Sequence, residues 1–117
     1  MLDAAGVLAL QQLAARLTVD RSIVTYITSL VRRTRGYPGL FMGASPRAGI
    51  AMLAAGRATA LSAGRTFVTP DDIAEVALPA LRHRVILSPE AEVEGKQVDG
   101  VLRELVKSVD VPRGTNG

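Results

Sequence analysis

This sequence has no cysteine and a single histidine, His83. Disulfides, thiolate metal sites and a thiol nucleophile are thereby excluded, as is any site built from several histidines. Aromatic rings are few: Tyr26, Tyr37, Phe41 and Phe67. So sparse a set argues against a platform that stacks the bases of single-stranded nucleic acid. No run of about 18 uncharged apolar residues occurs, so no membrane span is expected. The opening "MLDAAGVLALQQLAARL" has an apolar patch without a basic leader, which speaks against a signal peptide. These absences point to a cytoplasmic protein. There is also no GxxxxGK[ST] phosphate loop, so these residues alone lack the machinery to bind and hydrolyse a nucleotide that way.

What is present suits one domain with a real core: 117 residues, 48% hydrophobic and 21% charged. The net charge of +3 is unevenly spread. Residues 1–69 hold 8 basic and 2 acidic groups, whereas residues 70–117 hold 6 basic and 9 acidic. A basic half suits phosphates, nucleic acid or an acidic protein surface; solvated helix faces explain it equally well.

The pattern is helical throughout, and an all-α bundle of about five helices is expected. Leu8 to Leu17 is rich in strong helix formers. Asp20 is a natural N-cap for a second helix, with Ile23, Val24, Ile27, Leu30 and Val31 on one stripe. Arg32, Arg33 and Arg35 complement its C-terminal dipole, and Gly36 stops it. Residues 36–44, "GYPGLFMGA", read as a loop in which Leu40, Phe41 and Met42 tuck under the bundle or meet a partner. The third helix is expected from Pro46 to Ala63, burying Ile50, Leu53, Ala54, Ala58 and Leu61, with Gly64 as its stop. Phe67 and Val68 suggest one short extended step. Thr69 then caps a fourth helix with Pro70 in first position and Asp71 and Asp72 in the first turn. Adjacent aspartates diverge by about 100° on a helix, so capping is favoured over metal binding. Pro79 should kink or split that helix. Residues 82–88 continue as helix or extend briefly, and 89–96 read as an acidic loop. Val98, Val101, Leu102, Leu105, Val106 and Val109 mark the last helix, Pro112 ends it, and 113–117 form a flexible tail.

Chemistry-bearing constellations are scarce. His83 lies between two arginines with no nucleophile in view, so a structural or capping role is expected. Glu90, Glu92 and Glu94 lack ligand partners, and no metal site is expected. The informative stretch is "GASPRAG" at 43–49. Ser45 reads as N-cap and Pro46 as the first helical position. Arg47 then stands at the positive end of its own helix, where an exposed cation costs a few tenths to about 1 kcal/mol. The same place favours anions, phosphate above all. Arg47 is therefore either a tolerated surface residue or part of an anion site.

"VTYITSLVRRTRG" at 24–36, "GASPRAGIAMLAAGRATALSAGRTFVTPDDI" at 43–73, "VALPALRHRVIL" at 76–87 and the closing "VDVP" at 109–112 occur in this order and spacing. Over residues 8–112 the chain resembles the C-terminal helical lid of MoxR-type AAA+ ATPases. The resemblance implies a lid domain over 1–112. It also implies that Arg47 is the sensor-2 arginine, reaching the phosphates of ATP held with Mg2+ by a preceding α/β core. Ser45 and Pro46 would shape the turn that presents it, with Ala44 and Ala48 keeping the approach narrow. Arg32 and Arg35 are secondary candidates, for the nucleotide side or a neighbouring subunit. The family's ATPase core is not among these residues, so the chain is expected to be the lid of a longer ATPase, not an enzyme alone, and to bind no cofactor alone. The implied partners are that core, neighbouring subunits of a hexameric ring and a von Willebrand A domain protein; no membrane or nucleic acid is expected. Two alternatives remain open: a freestanding basic, histone-fold-like DNA-binding domain, and a non-catalytic interaction module using Leu40, Phe41 and Met42.

Overall fold

The structure, a computed structural model, describes residues 19–112. The helix expected over Leu8–Leu17 and the tail at 113–117 lie outside the described residues. Within them the order is α1 (Arg21–Arg33), β1 (Leu40–Met42), α2 (Arg47–Ser62), α3 (Pro70–Leu81), β2 (Ile86–Leu87), α4 (Pro89–Val93) and α5 (Val98–Ser108). The expected small all-α bundle is what forms, with one tiny antiparallel pair.

The apolar stripe of α1 enters the core as expected: Ile23, Val24, Ile27, Leu30 and Val31 are all buried. Asp20 occupies the N-cap position without the side-chain cap; its carboxylate accepts from the Ser22 hydroxyl instead. The Tyr26 hydroxyl is buried without a hydrogen-bond partner among the described residues, and burial first, then the Asp71 charge, push its ionisation above the ordinary 10. On α5, Val101, Leu102 and Leu105 are buried in the same core.

The extended pair is not at Phe67–Val68, which are irregular, but between β1 and β2. Leu40 pairs with Leu87 and Met42 with Ile86, so Phe41 is the extra residue of a bulge. The ribbon joins segments more than 40 residues apart, a pairing that local periodicity does not reveal. Residues 89–96 also depart from expectation. Ser88 accepts from the Ala91 N–H (3.1 Å), Pro89 takes the first position and a short helix forms where a loop was expected. Helix α3 runs unbroken through Pro79 near its C-terminal end, so the expected split does not occur.

The largest correction concerns α2. Leu53 is buried as expected, but Ala54, Ala58 and Leu61 face outward, and Ile50 is half-buried. The buried face is Ala48, Gly49, Met52, Leu53, Gly56 and Ala60. Alanine and glycine set this face because α3 approaches closely: a Cβ on Gly56 would stand 2.6 Å from Ile73 Cδ1. The α2 helix closes with Gly64 at φ +80°, as expected, while the Arg65 N–H reaches back to the Ala60 carbonyl (2.9 Å).

Candidate functional site

The start of α2 is fixed by a joint with the end of α1. Thr34, fully buried, donates its hydroxyl to the Val31 carbonyl (2.6 Å) and accepts the Ala44 N–H (2.8 Å). Gly43 permits this approach, because a Cβ there would lie 2.8 Å from Thr34 Oγ1 and 2.9 Å from the Arg35 backbone nitrogen. From this anchored point the chain turns through Ser45 and Pro46 into the helix. Pro46 is already helical in conformation, at φ −57° and ψ −24°. The Ser45 carbonyl accepts the Ala48 N–H (3.0 Å), and among the described residues no side chain caps this terminus. The serine therefore closes the turn through its backbone, not through the expected hydroxyl cap. Ala44 and Ala48 are buried in the core, so they support the turn from beneath and do not line its approach.

Arg47 is exposed, and no carboxylate pairs with it among the described residues. On a wheel of 100° per residue, Ala51, Ala54, Ala58 and Leu61 all fall within about 40° of it. Ala54 and Ala58 are exposed and Leu61 is 55% exposed, so Arg47 heads a bare apolar stripe opposite the buried face. A helix apolar on both sides normally has cover on both sides. The outward residues were visible in the sequence, but their small size hid which face the core would take.

Arg32 and Arg35 line a separate groove of about 650 Å³ between the ends of α1 and α5, whose walls do not include Ser45, Pro46 or Arg47. Arg33 in that groove stands 5.7 Å from the Tyr37 ring centroid. The structure thus does not gather the three candidate arginines into one pocket.

Downstream of α2, the "GRTFVTPDD" stretch is structural. Arg65 grips Asp72 with two hydrogen bonds (2.7 and 2.8 Å). Asp72 also accepts the Thr69 N–H (2.8 Å), while Thr69 Oγ1 accepts from the Asp72 N–H (3.2 Å), completing a capping box. The Arg65 guanidinium, followed by the Thr69 hydrogen bonds, holds the Asp72 carboxyl at about 2, below its ordinary 3.8, against the opposing effect of burial. Asp71 points to solvent. Asp72 thus caps the helix, while Asp71 contributes only its charge to the first turn. A second fork joins Arg82 to Asp99 (2.8 and 2.9 Å), tying α3 to α5 and holding the Asp99 carboxyl low. His83 is exposed. Among the described residues no helix is long and apolar enough to cross a membrane.

The described residues thus form a small helical bundle with a cation at the head of an outward helix face. The AAA lid domain family matches residues 32–105. The chain belongs to that family, in the form carried by MoxR-type AAA+ ATPases. It is 42% identical over 103 residues to the uncharacterized protein YeaC of Bacillus subtilis, covering 88% of this chain and 32% of that protein. It is 34% identical over 122 residues to chaperone MoxR1 of Mycobacterium tuberculosis, covering 97% of this chain and 32% of MoxR1. A crystal structure of a candidate ATPase from Cytophaga hutchinsonii superposes with a TM-score of 0.75 at 32% identity, over 81% of this chain and 32% of that one. The chain thus spans about a third of the length of the relatives it matches.

Proposed function

We propose that this lid closes over ATP and Mg2+ held by an α/β core of a full-length AAA+ ATPase, with Arg47 as the sensor-2 arginine. The observation that carries this reading is the placement of Arg47: exposed, without a carboxylate partner among the described residues, and at the head of an outward stripe of half-buried Ala51 and exposed Ala54, Ala58 and Leu61. The stripe is the surface on which the core docks, and docking carries Arg47 to the nucleotide phosphates. ATP supplies the negative charge that the cation and its helix N-terminus both lack. A guanidinium stays charged and clamps two phosphate oxygens at once, so it stabilises the transferring phosphoryl group or links nucleotide state to lid angle. Ser45 and Pro46 set the turn that aims it. Arg32 and Arg35, on their own groove, stand outside this clamp. The ligands of Mg2+ belong to the core, since the lid face brings an arginine and alkyl groups.

The wider setting is chaperone-like remodelling or assembly by a cytoplasmic hexameric ring, in company with a von Willebrand A domain protein. The kinship with a protein named as a chaperone supports the remodelling role. In the full-length protein Arg47→Ala should slow ATP hydrolysis by about 10-fold or more. The melting temperature of the 117-residue chain should stay unchanged. Normal turnover by the variant, measured as phosphate release, would refute the assignment.

A further inference from the structure

The fold buries Thr34 and Asp72 despite their polar side chains. Asp72 serves the start of its own helix, whereas Thr34, at the end of α1, serves the approach to α2. The Thr34 hydroxyl proton is committed to the Val31 carbonyl (2.6 Å), which leaves an oxygen lone pair for the Ala44 N–H (2.8 Å). Ala44 is itself buried, so loss of that oxygen strips a buried donor of its partner. The segment cannot settle deeper against α1 in compensation. A Cβ on Gly43 would already stand 2.9 Å from the Thr34 carbonyl carbon and from the Arg35 backbone nitrogen. Any shift at Ala44 is therefore directed away from α1.

Two residues separate Ala44 from Arg47. Pro46 has φ locked by its ring, at −57°, and the Ser45 carbonyl is held by the Ala48 N–H (3.0 Å). A displacement at Ala44 thus meets few free torsions before it reaches the arginine. We propose that Thr34 is a positioning residue for Arg47: its hydroxyl pins the Ala44 N–H and so sets the reach and aim of the arginine toward the nucleotide phosphates. The inference rests on the lid reading of Arg47. Thr34 touches no phosphate and acts through the arginine alone.

Phosphate release by the full-length protein tests this in a double-mutant cycle. Thr34→Val keeps the shape of the side chain and removes the hydroxyl, and it should slow turnover about fivefold or more. Arg47→Ala sets the floor. Adding Thr34→Val to it should bring no further loss, because the arginine to be aimed is gone. Thr34→Ser retains the hydroxyl and should recover most of the turnover. If circular dichroism shows that Thr34→Val does not fold, Thr34→Ala takes its place with the same expectation, since the space it opens admits a water to the Ala44 N–H. Turnover undiminished by loss of the hydroxyl overturns the proposal. So do losses that multiply in the double variant, or a Thr34→Ser protein as slow as Thr34→Val. In all three outcomes Arg47→Ala is still slow and the lid reading stands. Normal turnover by Arg47→Ala refutes the lid reading itself, and this proposal with it.

Discussion

Asp72 shows how much one side chain can hold together. It closes the capping box of α3 and takes both arms of Arg65, with only 5% of its side chain exposed. Asp72→Asn keeps an acceptor for the Thr69 N–H but removes the charge. With the guanidinium partly in solvent, the loss should be about 1–2 kcal/mol near neutral pH, read by urea unfolding. The carboxyl sits at about 2 in the folded chain against 3.8 ordinarily, so its protonation favours the unfolded state. The wild-type advantage is complete above 3.8, shrinks as pH falls below that value and vanishes once pH drops past about 2. An advantage that persisted below that range would mean that packing, not charge, holds this corner.

At the scale of elements, two glycines mark the closest approaches and should answer differently to one added methyl group. At Gly43 a Cβ meets the Thr34 hydroxyl at 2.8 Å and Arg35 backbone at 2.9 Å, neither of which can yield without breaking the joint between α1 and α2. Gly43→Ala should cost about 2 kcal/mol. At Gly56 the obstacle is Ile73 Cδ1 at 2.6 Å, the tip of a side chain. Gly56→Ala gains about 1 kcal/mol of helix propensity, which offsets much of the clash, so its net effect should lie within about 1 kcal/mol of zero. Gly56→Val offers no such offset and should lose about 2–3 kcal/mol, partly recovered by Ile73→Val. Chemical denaturation of the four variants checks the ordering.

At the scale of the whole molecule, the two faces of α2 divide the work. Ala60 faces the core and Ala58 faces outward, although both are alanines two residues apart. Ala60→Glu buries an unpaired charge and should cost roughly 3 kcal/mol or more. Ala54→Glu with Ala58→Glu should alter stability by less than about 1 kcal/mol. Under the proposed docking, the outward pair should nevertheless lower ATP turnover by the full-length protein about tenfold, because two carboxylates on the stripe would oppose docking and compete for Arg47. Thermal melts of the chain and phosphate release by the full-length protein separate the two effects. Unchanged turnover would free the stripe from any docking role.

Much of the local architecture was legible in the sequence because its chemistry spans only a few residues. Thr69, Pro70 and Asp72 write their own capping box, Gly36 and Gly64 adopt the left-handed stops their positions implied, and α1 and α5 carry plain apolar stripes. The motif around Arg47 was visible, too, as was the conflict between its charge and its helix. Ser88–Pro89 was equally readable as a helix start, yet the acidic residues after it suggested a loop. Which side of α2 faces inward was not legible, since alanine and glycine on all sides give no dominant stripe and the close approach of α3 makes the choice. Nor were the β1–β2 ribbon and the Thr34–Ala44 joint, whose partners meet only after the helices have packed. The sequence alone thus determined α1, α2, α3 and α5, the Thr69 capping box and the arginine at the head of α2, through contacts within a turn or two. Only the tertiary structure decided which apolar face stays bare around that cation, because burial depends on what the rest of the chain brings against it.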